Sequence, residues 1–83
     1  MTYKIDWSEE SRADVRRLDK PTAMRVFEVL LRFATSGEGD VTQLHGDLAG
    51  QWRLRIGDYR LIFTLSGETL RVHSVRHRSV AYK

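Results

Sequence analysis

The feature that most constrains this chain is a pair of tight-turn signals in its last third. Gly57-Asp58 separates the runs Gln51–Ile56 and Tyr59–Leu65, and Ser66-Gly67-Glu68 separates the second run from Leu70–Val75. Each run largely alternates apolar and polar residues, which is the pattern of a half-buried strand. Glycine next to aspartate or serine between two such runs is typical of a β-hairpin turn. The last third therefore predicts three antiparallel strands joined by two hairpins.

The two-residue turn at Gly57-Asp58 also predicts which residues face one another. Arg55 is then directly opposite Arg60, and Arg53 is opposite Ile62. Alternation gives the hairpin one apolar face, made of Trp52, Leu54, Ile56, Tyr59, Leu61, Phe63 and Leu65. This face is large enough to receive helices, and the opposite face carries the three arginines.

The first half of the chain predicts one strand followed by two helices. Tyr3–Trp7 alternates like a strand, and Ser8 is a suitable N-cap for the first helix. The second helix begins near Pro21, which fits a first turn because it lacks an N–H, and Gly37 ends it. Its apolar residues recur at spacings of three and four: Ala23, Val26, Phe27, Leu30, Leu31 and Ala34. Residues 37–50, with four glycines, are predicted to form a loop.

These elements predict an α+β fold with the order βααβββ, in which a helical hairpin packs on one face of a small, mainly antiparallel sheet. The 83 residues fit a single domain, residues 1–83. With no cysteine and only three histidines, neither disulfides nor a metal site is expected. No apolar stretch approaches the roughly 18 residues of a membrane span, and the N-terminus does not resemble a signal peptide. We expect a cytoplasmic protein that does not bind membranes.

The net charge of +3 is unevenly distributed along the chain. Residues 51–83 carry seven basic and two acidic side chains, a net charge of +5, whereas residues 1–50 carry seven basic and nine acidic ones, a net charge of −2. A basic surface of this kind favours a polyanion such as nucleic acid, and it would equally suit an acidic protein partner.

The predicted pairing of Arg55 with Arg60 needs an explanation, because like charges opposite one another destabilise a sheet. A bound phosphate would supply one, since the guanidinium group presents a planar fork of donors to phosphate oxygens and stays protonated. The alternative is a solvated strand face in a basic protein. The pairing alone does not decide between the two.

The segment after the last predicted strand holds the remaining reactive side chains, Arg76, His77, Arg78 and Tyr82. An imidazole titrates near neutral pH and can transfer a proton. Arginine and tyrosine can hold and stack an unpaired RNA base. The alternative interpretation is an ordinary solvated basic C-terminus.

Two motifs resemble the RelE branch of the RelE/ParE superfamily of bacterial toxins. They are Leu44-x-Gly46-x-Leu48-x-Gly50-x-Trp52-Arg53-x-Arg55-x-Gly57-Asp58-Tyr59-Arg60-Leu61-Ile62-Phe63, and Val75-Arg76-His77-Arg78 followed by Tyr82. The resemblance extends over nearly the whole chain and its βααβββ order. It implies a toxin of a type II toxin–antitoxin system that enters the ribosomal A site and cuts mRNA there without a metal ion or other cofactor. The implied partners are a cognate antitoxin, mRNA and the ribosome with its 16S rRNA.

The resemblance gives RNA binding and charge stabilisation to different arginines. Arg53 and Arg55 match the family's basic strand positions that grip the mRNA backbone, and Arg76 is expected to add to this RNA-binding surface. Arg60 and Arg78 match the arginines that stabilise charge on the scissile phosphate.

His77 and Tyr82 complete the catalytic group that the resemblance implies. Tyr82 matches a tyrosine that stacks on the nucleotide or helps to activate it, and His77 matches a position where some branches have histidine and others lysine. The best-known members carry lysines where this chain has Arg53 and Arg55, and arginine is a poorer base because it holds its proton so tightly. His77 or Tyr82 is therefore the expected proton acceptor.

In the implied reaction the ribose 2′-OH attacks its adjacent phosphate and gives a 2′,3′-cyclic phosphate and a 5′-OH, which requires a base, an acid and cationic stabilisation. Two alternatives stay open. One is a ParE-like toxin that poisons DNA gyrase on the same fold, and the other is a catalytically inactive relative that only binds RNA or protein. The arginines together with His77 and Tyr82 favour the nuclease.

Overall fold

The predicted α+β architecture is confirmed, with two helices packed on a five-stranded, mainly antiparallel sheet. The computed structural model describes residues 2–80. The elements are β1 (Lys4–Trp7), α1 (Glu9–Arg16), α2 (Lys20–Ser36), β2 (Asp40–Gln43), β3 (Trp52–Ile56), β4 (Tyr59–Ser66) and β5 (Thr69–His77). The strands lie in the order β1-β5-β4-β3-β2, with β1 parallel to β5 and the other neighbours antiparallel.

The hairpin register that the two-residue turn predicts is confirmed. Trp52 pairs with Phe63, and Arg55 pairs with Arg60. Gly57 occupies the first position of the turn with a φ of +58°, a conformation that glycine adopts without the strain a side chain would add. The place of each arginine on the sheet follows from this turn.

The prediction of a loop over residues 37–50 is wrong for residues 40–43, which form β2. This strand lies at the edge of the sheet and pairs with β3, with Val41 opposite Leu54. Its sequence, Asp-Val-Thr-Gln, contains a single apolar residue, so the alternation that marks the other strands is not visible in it. β2 adds Asp40 and Thr42 to the face that carries the arginines.

β5 extends beyond its predicted end, so that Arg76 and His77 belong to the sheet and not to a tail after it. The pairing of β5 with β4 shifts between Ile62 and Phe63, which leaves His73 as the extra residue of a β-bulge. A bulge interrupts the alternation of side chains between the two faces of the sheet. The sequence pattern therefore does not assign the polar residues after the bulge to the strand.

Side chains cap both helices at their N-termini. The Ser8 hydroxyl accepts a hydrogen bond from the Ser11 backbone N–H at 3.1 Å, and Asp19 accepts one from Thr22 at 3.2 Å. α2 ends at Gly37, whose φ of +80° is left-handed. Neither helix in residues 2–80 has both the length and the apolar character needed to cross a membrane.

The core lies between the helices and one face of the sheet. Val26, Leu30 and Ala34 of α2 are buried, and the rings of Phe33 and Phe63 meet with centroids 5.3 Å apart. The buried strand residues on this face are Leu54, Ile56, Leu61, Phe63, Leu70, Val72 and Val75. The face with the arginines is therefore the one turned away from the helices.

Candidate nucleic-acid interface

The sheet face turned away from the helices carries a row of charged residues across four strands. From β2 to β5 the row consists of Asp40, Arg55, Arg60 and Arg76, each directly opposite the next. None of the ion pairs formed within residues 2–80 involves Arg55 or Arg60, although Asp40 is their neighbour. Two like charges therefore face each other across β3 and β4, and within residues 2–80 neither is paired with a carboxylate.

The guanidinium group of Arg60 is held at the hairpin turn. Its Nη1 donates hydrogen bonds to the carbonyl oxygens of Gly57 and Tyr59, both at 2.9 Å. These two bonds use the donors of one nitrogen and fix the direction of the side chain. The donors on the other two nitrogens remain for a ligand such as phosphate.

Arg78 is anchored on the same turn. Its backbone N–H donates to the carbonyl oxygen of Asp58 at 2.7 Å, and its Nε lies 4.0 Å from Asp58 Oδ1. The Arg78 side chain is otherwise exposed. The turn thus holds the side chain of Arg60 and the backbone of Arg78, the two arginines predicted to stabilise charge on a phosphate.

Arg53 lies one row further from the turn than Arg55. Its Nη2 donates to Thr42 Oγ1 at 3.2 Å, and it is half-buried opposite Ile62. Ile62 is only 6% exposed although no helix covers this face, which indicates that long side chains beside it shield it. Arg55, in contrast, is exposed.

His77 lies on the opposite side of the sheet from the arginine row. It is opposite Tyr59 in the register, and the two rings meet edge to face with centroids 5.6 Å apart. Its Nδ1 is 3.0 Å from Ser79 Oγ and 3.3 Å from the Ser79 backbone nitrogen. His77 lines an open cleft of about 410 Å³ together with Arg17 and Leu18. His77 directly precedes Arg78, whose backbone is bonded to the hairpin turn.

Arg76 turns away from the row to which its register assigns it. Its guanidinium group pairs with the carboxylates of Glu10 and Asp14 in α1. Sequence reasoning did not place either carboxylate in the site. Their spacing of four residues does put them on one face of a helix, but Arg76 lies 66 residues after Glu10, and no local pattern indicates that contact.

The structure thus gathers Arg55, Arg60 and Arg78 near one turn. Tyr82 lies outside the described residues, and its role stays a prediction. Within residues 2–80, no group of three or more histidine or carboxylate side chains is close enough together to bind a metal ion.

Solved structures with the same fold include several toxin–antitoxin complexes. The RelBE2 complex from Mycobacterium tuberculosis has a TM-score of 0.84 at 23% identity, covering 94% of this chain and 100% of that one. The archaeal RelE–RelB complex from Pyrococcus horikoshii OT3 has a TM-score of 0.78 at 23% identity, with coverages of 98% and 100%. The YoeB–YefM complex from Staphylococcus aureus has a TM-score of 0.76 at 20% identity, with coverages of 93% and 98%.

None of the curated protein sequences matches this chain. A family model does match it, over residues 5–82, and that model describes the ParE toxin of the type II toxin–antitoxin system parDE. The match leaves out only four residues at the start and one at the end, and it agrees with the superfamily that the sequence motifs resemble. The chain therefore belongs to the ParE toxin family, within the RelE/ParE superfamily of type II toxins.

Proposed function

We propose that this toxin is an endoribonuclease that enters the ribosomal A site in the cytoplasm and cuts mRNA there. The observation that carries the proposal is the pair Arg55 and Arg60, which oppose each other on the sheet and form no ion pair within residues 2–80, with Arg78 anchored at the same turn. Guanidinium groups grouped in this way suit a phosphate. The open sheet face also gives an extended RNA strand access to them.

The proposed reaction transfers the phosphoryl group within the RNA. The ribose 2′-oxygen forms a bond to the adjacent phosphorus, and the bond from phosphorus to the 5′-oxygen of the next nucleotide breaks. The products are a 2′,3′-cyclic phosphate and a 5′-OH, whose oxygen takes up a proton from solvent water. Arg60 and Arg78 stabilise the negative charge that develops on the phosphorane oxygens, while Arg53 and Arg55 bind the flanking phosphates.

His77 is the proposed acceptor of the 2′-OH proton, with Tyr82 as the alternative. Ser79 can partner His77 Nδ1 in two ways: its hydroxyl oxygen accepts from Nδ1–H, or its backbone N–H donates to Nδ1. The first arrangement leaves Nε2 unprotonated, as a base must be. Because His77 and the arginines lie on opposite sides of the hairpin end, we place the scissile phosphate at that end, between them.

A cognate antitoxin is the proposed protein partner. Met24, Phe27 and Leu31 of α2 are 50%, 43% and 57% exposed, and their spacing of three and four aligns them as one apolar stripe, the α2 stripe. An amphipathic antitoxin segment would bury this stripe, and a second, acidic segment that reaches the opposite face of the sheet would neutralise the arginine row. The RelBE2, RelE–RelB and YoeB–YefM structures, which have the same fold, are each complexes of two proteins.

A second candidate function is favoured by one observation, namely that the matching family model describes ParE toxins. A ParE-like toxin would poison DNA gyrase on the same fold and would not need a phosphate-cleaving group. The two candidates differ in their target, and one pair of assays separates them.

Purified ribosomes programmed with a defined mRNA test the proposal. The wild-type toxin is expected to cut within the A-site codon and leave 2′,3′-cyclic phosphate ends, and Arg60→Ala is expected to lower the rate by about 10²–10³-fold. Arg25→Ala removes an exposed arginine from α2 and is expected to keep the wild-type rate. Intact mRNA together with gyrase-dependent DNA breaks would reject the nuclease and support the second candidate.

A further inference from the structure

The carboxylate of Asp14 is buried and has no part in the proposed reaction. Its side chain is 5% exposed, and Asp14 and Ser11 are the two buried polar residues within residues 2–80. A buried charge destabilises a protein unless it is hydrogen-bonded and paired. The partners of Asp14 therefore indicate what it holds in place.

Asp14 closes the edge of β5 beyond the end of β1. β1 pairs with β5 only as far as Trp7 and Val72, which leaves the last residues of β5 without a strand on that side. α1 covers this edge instead. The Ser8 N–H donates to the Val72 carbonyl oxygen at 3.1 Å, and Asp14 Oδ2 accepts from the Val75 N–H at 2.9 Å. Asp14 thus replaces the strand partner that Val75 lacks.

The same carboxylate helps to hold Arg76. Asp14 Oδ2 lies 3.7 Å from Arg76 Nε, and Glu10 Oε1 accepts a hydrogen bond from Arg76 Nη2. Arg17 Nη1 lies 3.5 Å from the other oxygen of Asp14. Arg76 is opposite Arg60 in the register, so these carboxylates keep a third guanidinium group from joining the arginine pair.

We infer that Asp14 is a positioning residue for the proposed ribonuclease site, an inference that rests on that proposed function. Its carboxylate fixes the end of β5, which contains His77 and is followed by Arg78. It also holds the Arg76 guanidinium group away from Arg60. Arg76 then pairs with the carboxylates of α1 within the toxin and does not make the RNA contact that the sequence predicts.

The variant Asp14→Asn tests this inference, because its amide oxygen can still accept from the Val75 N–H while the negative charge is lost. We expect the variant to fold and to keep slow hydrogen exchange at Val75. Its A-site cleavage rate at saturating toxin is expected to fall roughly tenfold to a hundredfold, because the reacting groups are displaced. The toxin concentration for half-maximal rate is expected to change by less than about twofold, since Arg55 is untouched.

Asp47→Asn removes an exposed carboxylate far from these contacts and is expected to keep both values. A wild-type rate per folded molecule in Asp14→Asn would overturn the inference, because it would show that Asp14 only stabilises the fold. If that variant does not fold, Glu10→Gln takes its place, since it removes a more exposed carboxylate from Arg76 alone. A several-fold fall in its rate supports the inference, and an unchanged rate overturns the part of it that relies on the α1 carboxylates holding Arg76 away from Arg60.

Nuclear magnetic resonance of the free toxin separates failure of this inference from failure of the proposed function. In Asp14→Asn, or in Glu10→Gln if it replaces that variant, we expect the Arg76 Nε–H, His77 ring and Arg78 amide signals to move, whereas Asp47→Asn leaves them in place. If these signals move but the wild-type toxin cuts no mRNA, the proposed ribonuclease function is rejected. The conclusion that α1 controls the position of the β5 end then still stands. Unmoved signals would overturn the inference whether or not the wild type cuts.

Discussion

At the scale of single residues, Arg60 and Arg55 carry the same charge but are held differently. The side chain of Arg60 is fixed by two carbonyl oxygens of the hairpin, whereas Arg55 is exposed and forms no ion pair within residues 2–80. A fixed donor stabilises charge at one place without reorganising, while an exposed cation attracts any nearby phosphate. We therefore expect Arg60 to act on the chemical step and Arg55 on binding.

Arg60→Lys separates charge from geometry, because it keeps the cation and loses the planar fork. On programmed ribosomes we expect the cleavage rate at saturating toxin to fall by about 10²-fold, with little change in the concentration for half-maximal rate. Arg55→Ala is expected to raise the toxin concentration for half-maximal rate with little change in the rate at saturating toxin. Arg25→Ala is expected to change neither value. A lysine variant that cuts at the wild-type rate would contradict the role of the fork.

The opposition of Arg55 and Arg60 could be predicted from the sequence, because a two-residue turn leaves only one register. The pairing of Arg76 with Glu10 could not. Strand alternation assigns a residue to a face, but it does not determine where a long side chain turns, and at an edge covered by a helix the nearest carboxylate decides.

At the scale of elements, α2 presents two apolar sides. Val26 and Leu30 face the sheet and are buried, while the α2 stripe is exposed. Leu31→Asp is expected to leave folding unchanged, because Leu31 is already 57% exposed, and to weaken binding of the proposed cognate antitoxin by roughly tenfold to a hundredfold. Arg25→Asp introduces the same side chain on another side of α2 and serves as the control. Calorimetric titration measures both, and equal affinities would show that the antitoxin avoids the stripe.

The N-terminus of α2 is predicted to make stability depend on pH. Hydrogen bonds from the hydroxyl and the backbone N–H of Thr22 lower the pKa of Asp19 below its ordinary value. The stabilisation by this cap is therefore complete above the pKa of aspartate in the unfolded chain, about 3.9, and is lost as the pH falls through the lower pKa of the folded state.

Asp19→Asn keeps a capping side chain that does not titrate. The melting temperature of the wild type, followed by circular dichroism, is expected to exceed that of the variant at neutral pH, with the difference shrinking as the pH falls below about 3.9, the pKa of aspartate in the unfolded chain, and Asp19 is protonated. Asp47→Asn controls for the loss of a carboxylate elsewhere. A difference that stays constant over this range would show that the charge of Asp19 does not contribute to the cap.

Elements with long periodic patterns could be predicted from the sequence, and short ones could not. α2 and the β3–β4 hairpin repeat their apolar spacing over several turns or residues, which fixes their type and face. β2 has four residues with one apolar side chain and exists because β3 offers it a free edge. Its formation depends on a neighbour and not on its own pattern.

At the scale of the whole molecule, the division of charge along the chain becomes a division in space. The acidic first half supplies Glu10 and Asp14, which α1 brings against Arg76, while the basic last third keeps Arg55 and Arg60 without carboxylate partners among residues 2–80. The net charge of +3 therefore understates the positive charge that the open sheet face presents to a polyanion.

The salt dependence of RNA binding measures how many of these arginines contact phosphate. Contacts from Arg53, Arg55, Arg60 and Arg78 to a single strand predict that the logarithm of the affinity falls with the logarithm of salt concentration with a slope of about −3. Arg55→Ala is expected to reduce the size of that slope by about 0.7, whereas Arg76→Gln is expected to leave it unchanged, because the charge of Arg76 is already paired with α1. Fluorescence anisotropy of a short labelled RNA between about 50 and 200 mM salt gives both slopes. An equal reduction in the two variants would mean that Arg76 leaves its carboxylates for the RNA, and the phosphate-binding group would then contain five arginines, with the α1 contacts existing only in the free toxin.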